Sequence, residues 1–419
     1  MKKILIVLPL CLGLLFGSCT SETSDEPSVK EGAENINNPA EKEDGGEYTP
    51  YTEIDLDGST RAAVGLNNAF AFNLLDKVGT SEDNVAVSPF SLFSVLGMMA
   101  NGDDGETRAE ILSVIGGSGT VSLEAVNAYS RIMLENLPAV DRRSRCDVGN
   151  SLWHAPGISL VPSFSTGISG FYNAQIFDID PSGKEGLEKI NNWIESGTGG
   201  QIKDFLSVPL EGSAALINTL FFKSGWSEGF DRDQTGRSDF TCRDGSVVRT
   251  EFMHSLRMAD YLEDADYEGV DLPLGNGNYS MSFIISKKGN DPALDSRRFE
   301  SLLAGSRSCD VSLSVPAFET SCHGDIRTAL VALGLERTDL NNAAVGMPLF
   351  VNTILHGVNF RIDEDGVSGA AVTIGGMATD SGEEVGVEPV VLEFNRPFLF
   401  VVRETSTNTI LFIGRQNKF

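Results

Sequence analysis

RIDEDGVSGAAVTIGGMATDSGEEVGVE occupies positions 361–388, between an alternating run (VNTILHGVNF, 351–360) and a strand-rich close (VVLEFNRPFLFVVRETSTNTILFIGR, 390–415). From Gly366 to Thr379 it holds only small, apolar or hydroxyl-bearing residues. Glycines and alanines anchor a segment weakly, so this composition suits an exposed loop. It also reads at period 2. Val367, Gly369, Ala371, Thr373, Gly375, Met377 and Thr379 would share one face of a strand, and none is charged. The segment can live as a loop and can also be buried as a strand.

Upstream of it the chain reads as a mixture of helices and strands. In NVAVSPFSLFSVLGMMANGDDGETRAEI (84–111), Ser88-Pro89 is a helix start, with proline set for the first turn, and the apolar run to Met99 is a buried helix. LNNAFAFNLLDKV (66–78) has helical spacing at Phe70, Leu74, Leu75 and Val78. KINNWIESGTGGQIKDFL (189–206) is a short amphipathic helix with a Gly199-Gly200 stop. AALINTLFFKSGWSEGF (214–230) begins as a buried strand, and FTCRDGSVVRTEFMH (240–254) turns at Asp244-Gly245. GVDLPLGNGNYSMSFIIS (269–286) is two strands about a tight turn, VSLSVPAF (311–318) an exposed-edge or half-buried strand, and ALVALGL (329–335) a short helix end.

These stretches carry a resemblance. EDGVSGAAVT (364–373) resembles the hinge of the serpins, 84–111 resembles their SPxSxxxxLxMxxxGxxGxT pattern, and 214–230 their VNAxxFKxxWxxxF. The resemblance spans 51–419, thinning at 113–148 and 338–350. It implies an α+β fold of three β-sheets and about eight or nine helices with an exposed reactive-centre loop at about 364–390. It implies a serine (or cysteine) protease inhibitor, not an enzyme. The protease cleaves the loop, whose hinge side then inserts into a sheet and traps the enzyme as an acyl-enzyme. About fourteen residues at ~3.3 Å each would carry a tethered protease ~45 Å.

The resemblance also assigns roles. Glu364, Gly366, Val367, Gly369, Ala370, Ala371 and Thr373 stand at the hinge; Ser88, Ser91, Asn218 and His356 form a hydrogen-bonded shutter beneath the sheet; Trp226 lies at the breach where insertion starts. Ala317 replaces a lysine that often faces the hinge glutamate, so that ion pair is expected to be missing. Counting from the hinge puts the scissile bond at Asp380-Ser381. The stretch from Gly366 to Pro397 is about six residues longer than in familiar members, so Met377, Thr379, Glu383, Glu384 and Val385 stay as rivals. Met377, Thr379 or Val385 would suit elastase- or subtilisin-like targets, Asp380 an acid-selective one. A non-inhibitory serpin acting as a surface binding protein is the alternative.

Other chemistries fit poorly. Gly225-Trp-Ser-Glu-Gly229 matches a nucleophile elbow, but FDRDQTGRSDF after it has no helical period to perch Ser227 on a strand-to-helix turn. Asp363 and Asp365 mimic a calcium loop whose first ligand would be Arg361 and whose last would be Val372, so the cage fails at both ends. The four histidines are scattered. No metal or cofactor is expected.

The chain has 419 residues and a formal net charge of −27, which argues against nucleic-acid binding through a basic surface. Lys2 and Lys3 precede a short apolar core, ILIVLPLCLGLLF (4–16), ending in Leu15-Phe16-Gly17-Ser18-Cys19. That resembles a bacterial lipobox and implies a signal peptide at 1–18, lipidation at Cys19 and an outer-membrane lipoprotein exposed at the cell surface, with a secreted or periplasmic protein as fallback. An acidic tether follows at 19–50, then the main domain at 51–419, expected to be monomeric. Cys146, Cys242, Cys309 and Cys322 form no CxxC pair and are expected to be mostly unpaired thiols.

Overall fold

The computed structural model describes residues 49–79, 83–116, 121–289, 293–351, 353–367 and 388–419. The chain divides into units at 1–40 and 41–419, and every described residue lies in the second.

Asp57 opens α1 (Gly58–Leu75), its carboxylate accepting from the Ser59 and Thr60 amides. The helix therefore starts well before the apolar spacing at 66. β1 (Val85–Val87) leads to α2 (Pro89–Asn101), where Ser88 accepts from the Ser91 amide and Pro89 fills the first turn. α3 (Glu106–Gly116), α4 (Leu123–Asn136), β2 (Arg145–His154), α5 (Pro162–Tyr172) and β3 (Gln175–Asp178) follow. α6 (Lys184–Gly197) ends before Gly199 and Gly200, both at positive φ, the left-handed stop expected of glycine.

β4 (Ala214–Gly225) is buried along nearly its whole length. β5 (Gly236–Thr241) and β6 (Val247–Glu263) form the expected hairpin, and β7 (Tyr267–Leu274) and β8 (Tyr279–Ser286) a second one. The chain continues through α7 (Ser296–Ala304), β9 (Arg307–Pro316), β10 (Phe318–Asp325), α8 (Arg327–Ala332), β11 (Asp339–Leu340), β12 (Leu349–Phe350), β13 (Ile354–Asp363) and β14 (Gly366–Val367). It closes with β15 (Val390–Glu393), β16 (Phe398–Glu404) and β17 (Thr409–Gln416).

These strands make three sheets. One has nine strands, ordered β1-β17-β16-β8-β7-β6-β9-β15 with β5 paired to β6; one has six, ordered β10-β13-β14-β4-β2-β3; β11 and β12 make the third. With eight α-helices among the described residues, the α+β architecture is the expected one. The main core joins α1 and α2 to the inner faces of the two large sheets. A smaller core lies on the other face of the six-stranded sheet, where Ile190 and Ile194 of α6 cover Trp153, Ala215, Ile217 and Leu355. This is the stripe that the spacing in 189–206 predicts.

Among the described residues no helix is long and apolar enough to cross a membrane. Cys146, Cys242, Cys309 and Cys322 are free thiols, the first two buried.

Candidate functional site

The six-stranded sheet contains a fork. β4 and β13 run parallel and pair directly only at Leu216–Ile217 and Ile354–Leu355. At the other end β14 stands between them, antiparallel to both. Val367 lies opposite Ile362 on one side and Ser224 on the other, and Gly366 opposite Asp363 and Gly225. Between these ends, 218–223 and 356–361 have no β4–β13 pairing. Val367 is fully buried. Gly366 has φ +153, and a Cβ there would overlap the Ser224 carbonyl oxygen, so only glycine seats without strain.

The turn leading into β14 is held from several elements. The Trp226 amide donates to Asp365 O (3.2 Å) and its indole Nε1–H to Asp363 O (2.9 Å); the Phe230 amide donates to Glu364 O (3.1 Å). Trp226 is buried and meets Phe230 edge-to-face at 5.6 Å. Arg257 lies over the Phe230 ring at 4.3 Å and donates to Glu228 O and Gly229 O.

Glu364 accepts from the Thr235 hydroxyl (2.7 Å) and sits 3.8 Å from Arg232, which also pairs closely with Asp365. Partial burial pushes the Glu364 carboxyl up, but the Thr235 hydroxyl, a backbone N–H and the arginine charges outweigh it and hold the group below the usual carboxylate range. The replacement of lysine by Ala317 therefore does not leave this carboxylate without a cation. Arg232 comes from a different segment, and reading the position of the lost lysine misses it.

The four polar residues expected to join beneath the sheet fall into two groups. The Ser88 amide donates to His356 Nε2 (3.1 Å), and Ser88 Oγ accepts from the Ser91 amide (3.4 Å). Burial, with a lesser contribution from His323, pushes the His356 pKa down to about 3, consistent with a neutral ring accepting at Nε2. Asn218 instead donates through Nδ2 to Asn150 Oδ1 (2.7 Å), and Asn150 donates to Tyr172 O (2.8 Å). Asn218 Oδ1 is buried with no hydrogen-bond partner. Asn150, directly opposite Asn218 in the β2–β4 ladder, is a partner that sequence reading passed over.

Ser227 does not stand on a strand-to-helix elbow. Ser227 Oγ donates to Gly275 O (2.9 Å), and a single 3-10 turn at Arg232–Gln234, not a helix, follows. Among the described residues no group of three or more His, Cys, Asp or Glu is placed to hold a metal.

The family model described as "Serpin (serine protease inhibitor)" matches residues 65–418. The chain belongs to the serpin family. An uncharacterised serpin-like protein of Thermococcus kodakarensis is 27% identical over 399 residues, 90% of this chain and 92% of the relative. Alpha-1-antiproteinase 2 of Equus caballus is 28% identical over 424 residues, 97% of each chain. The native-state crystal structure of tengpin, a thermophilic serpin, aligns with a TM-score of 0.77 at 25% identity, covering 89% of this chain and 97% of that one.

Membership makes this serpin a protein of the protease-inhibitor type rather than a protease. Of its hinge candidates, Glu364, Gly366 and Val367 are placed at the fork. Gly369, Ala370, Ala371 and Thr373 lie outside the described residues, as do Met377, Thr379, Asp380, Ser381, Glu383, Glu384, Val385 and Cys19.

Proposed function

We propose that this serpin is a suicide inhibitor that traps a serine or cysteine protease by drawing its cleaved loop into the fork. The observation that carries the reading is the two-residue strand β14, already seated between β4 and β13, with no pairing of β4 to β13 over 218–223 and 356–361 among the described residues. A strand between two parallel neighbours replaces one parallel pairing with two antiparallel ones, which are slightly more stable per residue. Each further loop residue in the same register meets the preceding residue of both strands. Thr373 would come opposite Asn218 and His356, and Met377 opposite Ala214, where β4 begins. To pass Thr373, the Leu216–Ile217 and Ile354–Leu355 pairings must open.

In this register the core-facing positions are Val367, Gly369, Ala371, Thr373, Gly375 and Met377, the uncharged set read at period 2. Filling twelve positions of β4 moves the cut end ~40 Å. The length of β4 favours a scissile bond at or beyond Met377; Asp380-Ser381 is the positional choice and would suit an acid-selective protease, whereas the rivals Met377, Thr379 and Val385 would suit the elastase- or subtilisin-like proteases that are the preferred targets. Cys19 carries the lipid of an outer-membrane anchor, and 19–50 tethers a monomeric inhibitor at the cell surface.

The test is to mix the protein with elastase, subtilisin, trypsin and a glutamyl endopeptidase. An SDS-resistant band of summed mass with at least one is expected, and the mass of the released C-terminal fragment identifies the bond. Clean cleavage by every enzyme without such a band defeats the reading and favours a binding protein. Incorporation of labelled palmitate that survives Cys19→Ser would rule out the anchor.

A further inference from the structure

Beside the closed end of the fork lies a cavity for which loop insertion has no use. Its volume is about 280 Å³, near the lower end of the ~300–1,000 Å³ usual for small-ligand sites. Val78 after α1, and Ile326 and Ala329 at α8, give it buried apolar walls. The exposed Lys77 and Thr328 line its solvent side. On the inside it reaches His356, which is 3% exposed. The His356 ring lies on the core face of β13, the face that Val358 shares with Cys322 across the β10 ladder, and Cys322 also lines the cavity. Because Nε2 accepts from the Ser88 amide, the neutral ring carries its proton on Nδ1. Among the described residues no protein group accepts from that N–H, and the cavity is where an acceptor can reach it. A buried donor left without a partner is costly, so an acceptor supplied here gains what a surface site does not offer.

We propose that this cavity binds a small monocarboxylic acid with an apolar body, its carboxylate taking the His356 Nδ1–H and the Lys77 ammonium, and that the bound acid holds the closed end of the fork shut. The cation at the rim and the donor inside select an anion, and the walls select a short aliphatic or aromatic remainder. Asp325, the carboxylate already at the cavity, is turned to the Arg327 and Ile354 amides (3.0 and 3.3 Å). The control of insertion rests on the inhibitor reading and follows from what the walls hold. Asp325 accepts from the Ile354 amide, and the Ile326 amide donates to Ile354 O (3.0 Å). The cavity wall therefore fixes one half of the Ile354–Leu355 pairing that must open. His356 is the first residue of β13 beyond that pairing. An acid bonded to its Nδ1 while Ser88 holds Nε2 removes the freedom of the ring and ties β13 to the segment after α1.

The test is calorimetric titration of the intact protein with octanoate, benzoate and phenylacetate, each beside its neutral amide. At least one acid should bind with a Kd below about 1 mM, and its amide about tenfold or more weakly. Lys77→Met removes the cation and Thr328→Trp fills the mouth. Both positions are exposed, so the fold tolerates the changes, and each should weaken the acid about tenfold or more. No binding by any acid, or binding that both variants leave within about twofold of wild type, overturns the site. An amide that binds as tightly as its acid overturns the carboxylate assignment. Inhibitor titrations of a protease that forms the SDS-resistant complex are then run with and without saturating acid, with Thr328→Trp as the control for acid acting on the protease. The inhibitor consumed per enzyme should rise about twofold or more for wild type and not for the variant. No such rise overturns the brake on insertion. If no protease yields a complex, the inhibitor reading falls and the brake with it, while calorimetry still decides the site.

Discussion

Replacing Val367 by arginine puts a charge where β14 enters the fork. Val367 is fully buried, and its cross-strand neighbours are Ile362 and Ser224, both buried. The Ser224 hydroxyl is already bonded to Ser144 Oγ (2.6 Å). The carboxylate that follows, Asp141, already accepts from Ser144 Oγ (2.5 Å) and from the Arg143 and Asn276 amides; a guanidinium buried here carries an effective desolvation penalty of several kcal/mol, and the lost valine burial adds ~1.5–3 kcal/mol. The uncleaved chain can escape the larger cost by withdrawing β14, so its stability should drop only by about the valine term.

The cleaved chain has no such escape, because every later residue reaches its register only after position 367 has entered. Insertion slows, the acyl-enzyme hydrolyses first, and the inhibitor becomes a substrate. Titration of residual protease activity should show a sharp rise in inhibitor consumed per enzyme, with loss of the SDS-resistant band. Val367→Thr, which keeps the β-branched shape, should stay close to wild type. A Val367→Arg protein with wild-type stoichiometry would refute insertion through this fork.

Three further outcomes follow from the same geometry. Gly366→Ala should unseat β14, since its Cβ would overlap the Ser224 carbonyl; thermal unfolding of the uncleaved protein should drop, and an unchanged midpoint would mean that the hinge is not held as described. His356 is held neutral with a pKa of about 3, so between about 3 and the ordinary 6.5 the unfolded chain binds a proton that the folded chain does not. Stability should fall as pH drops below 6.5, and His356→Gln should show a shallower acid loss in urea midpoints at pH 4.5 and 7; equal slopes would remove His356 as the cause. Trp226→Phe should cost ~1–3 kcal/mol by stranding the Asp363 carbonyl, and Trp226→Ala ~3–5 kcal/mol, both read by denaturant unfolding. A Trp226→Phe protein as stable as wild type would show that this bond contributes nothing.

The sequence by itself determined what local chemistry controls. Ser88-Pro89 starts α2, Asp244-Gly245 turns a hairpin, and the stripe at Ile190 and Ile194 seats α6 on the six-stranded sheet. Each signal lies within a few residues of the structure it dictates. Family motifs put Glu364–Val367, Trp226 and the buried His356 in one fold.

Tertiary structure alone decided how these parts meet. Thr235 reaches Glu364 across 129 positions of sequence, and Arg232 stands beside it in the same turn. Asn218 turns to Asn150 rather than to Ser88 or His356, because β2 pairs with β4 in that register. The fork itself depends on β4 and β13 being parallel and parting beyond Leu216–Ile217, with Gly366 and Val367 wedged between. Alternation along one strand states which residues can be buried, but it carries no information about which distant strand lies alongside or in what register. That is set by the packing of the whole sheet, and it is what gives Gly366 and Val367 their place between β4 and β13.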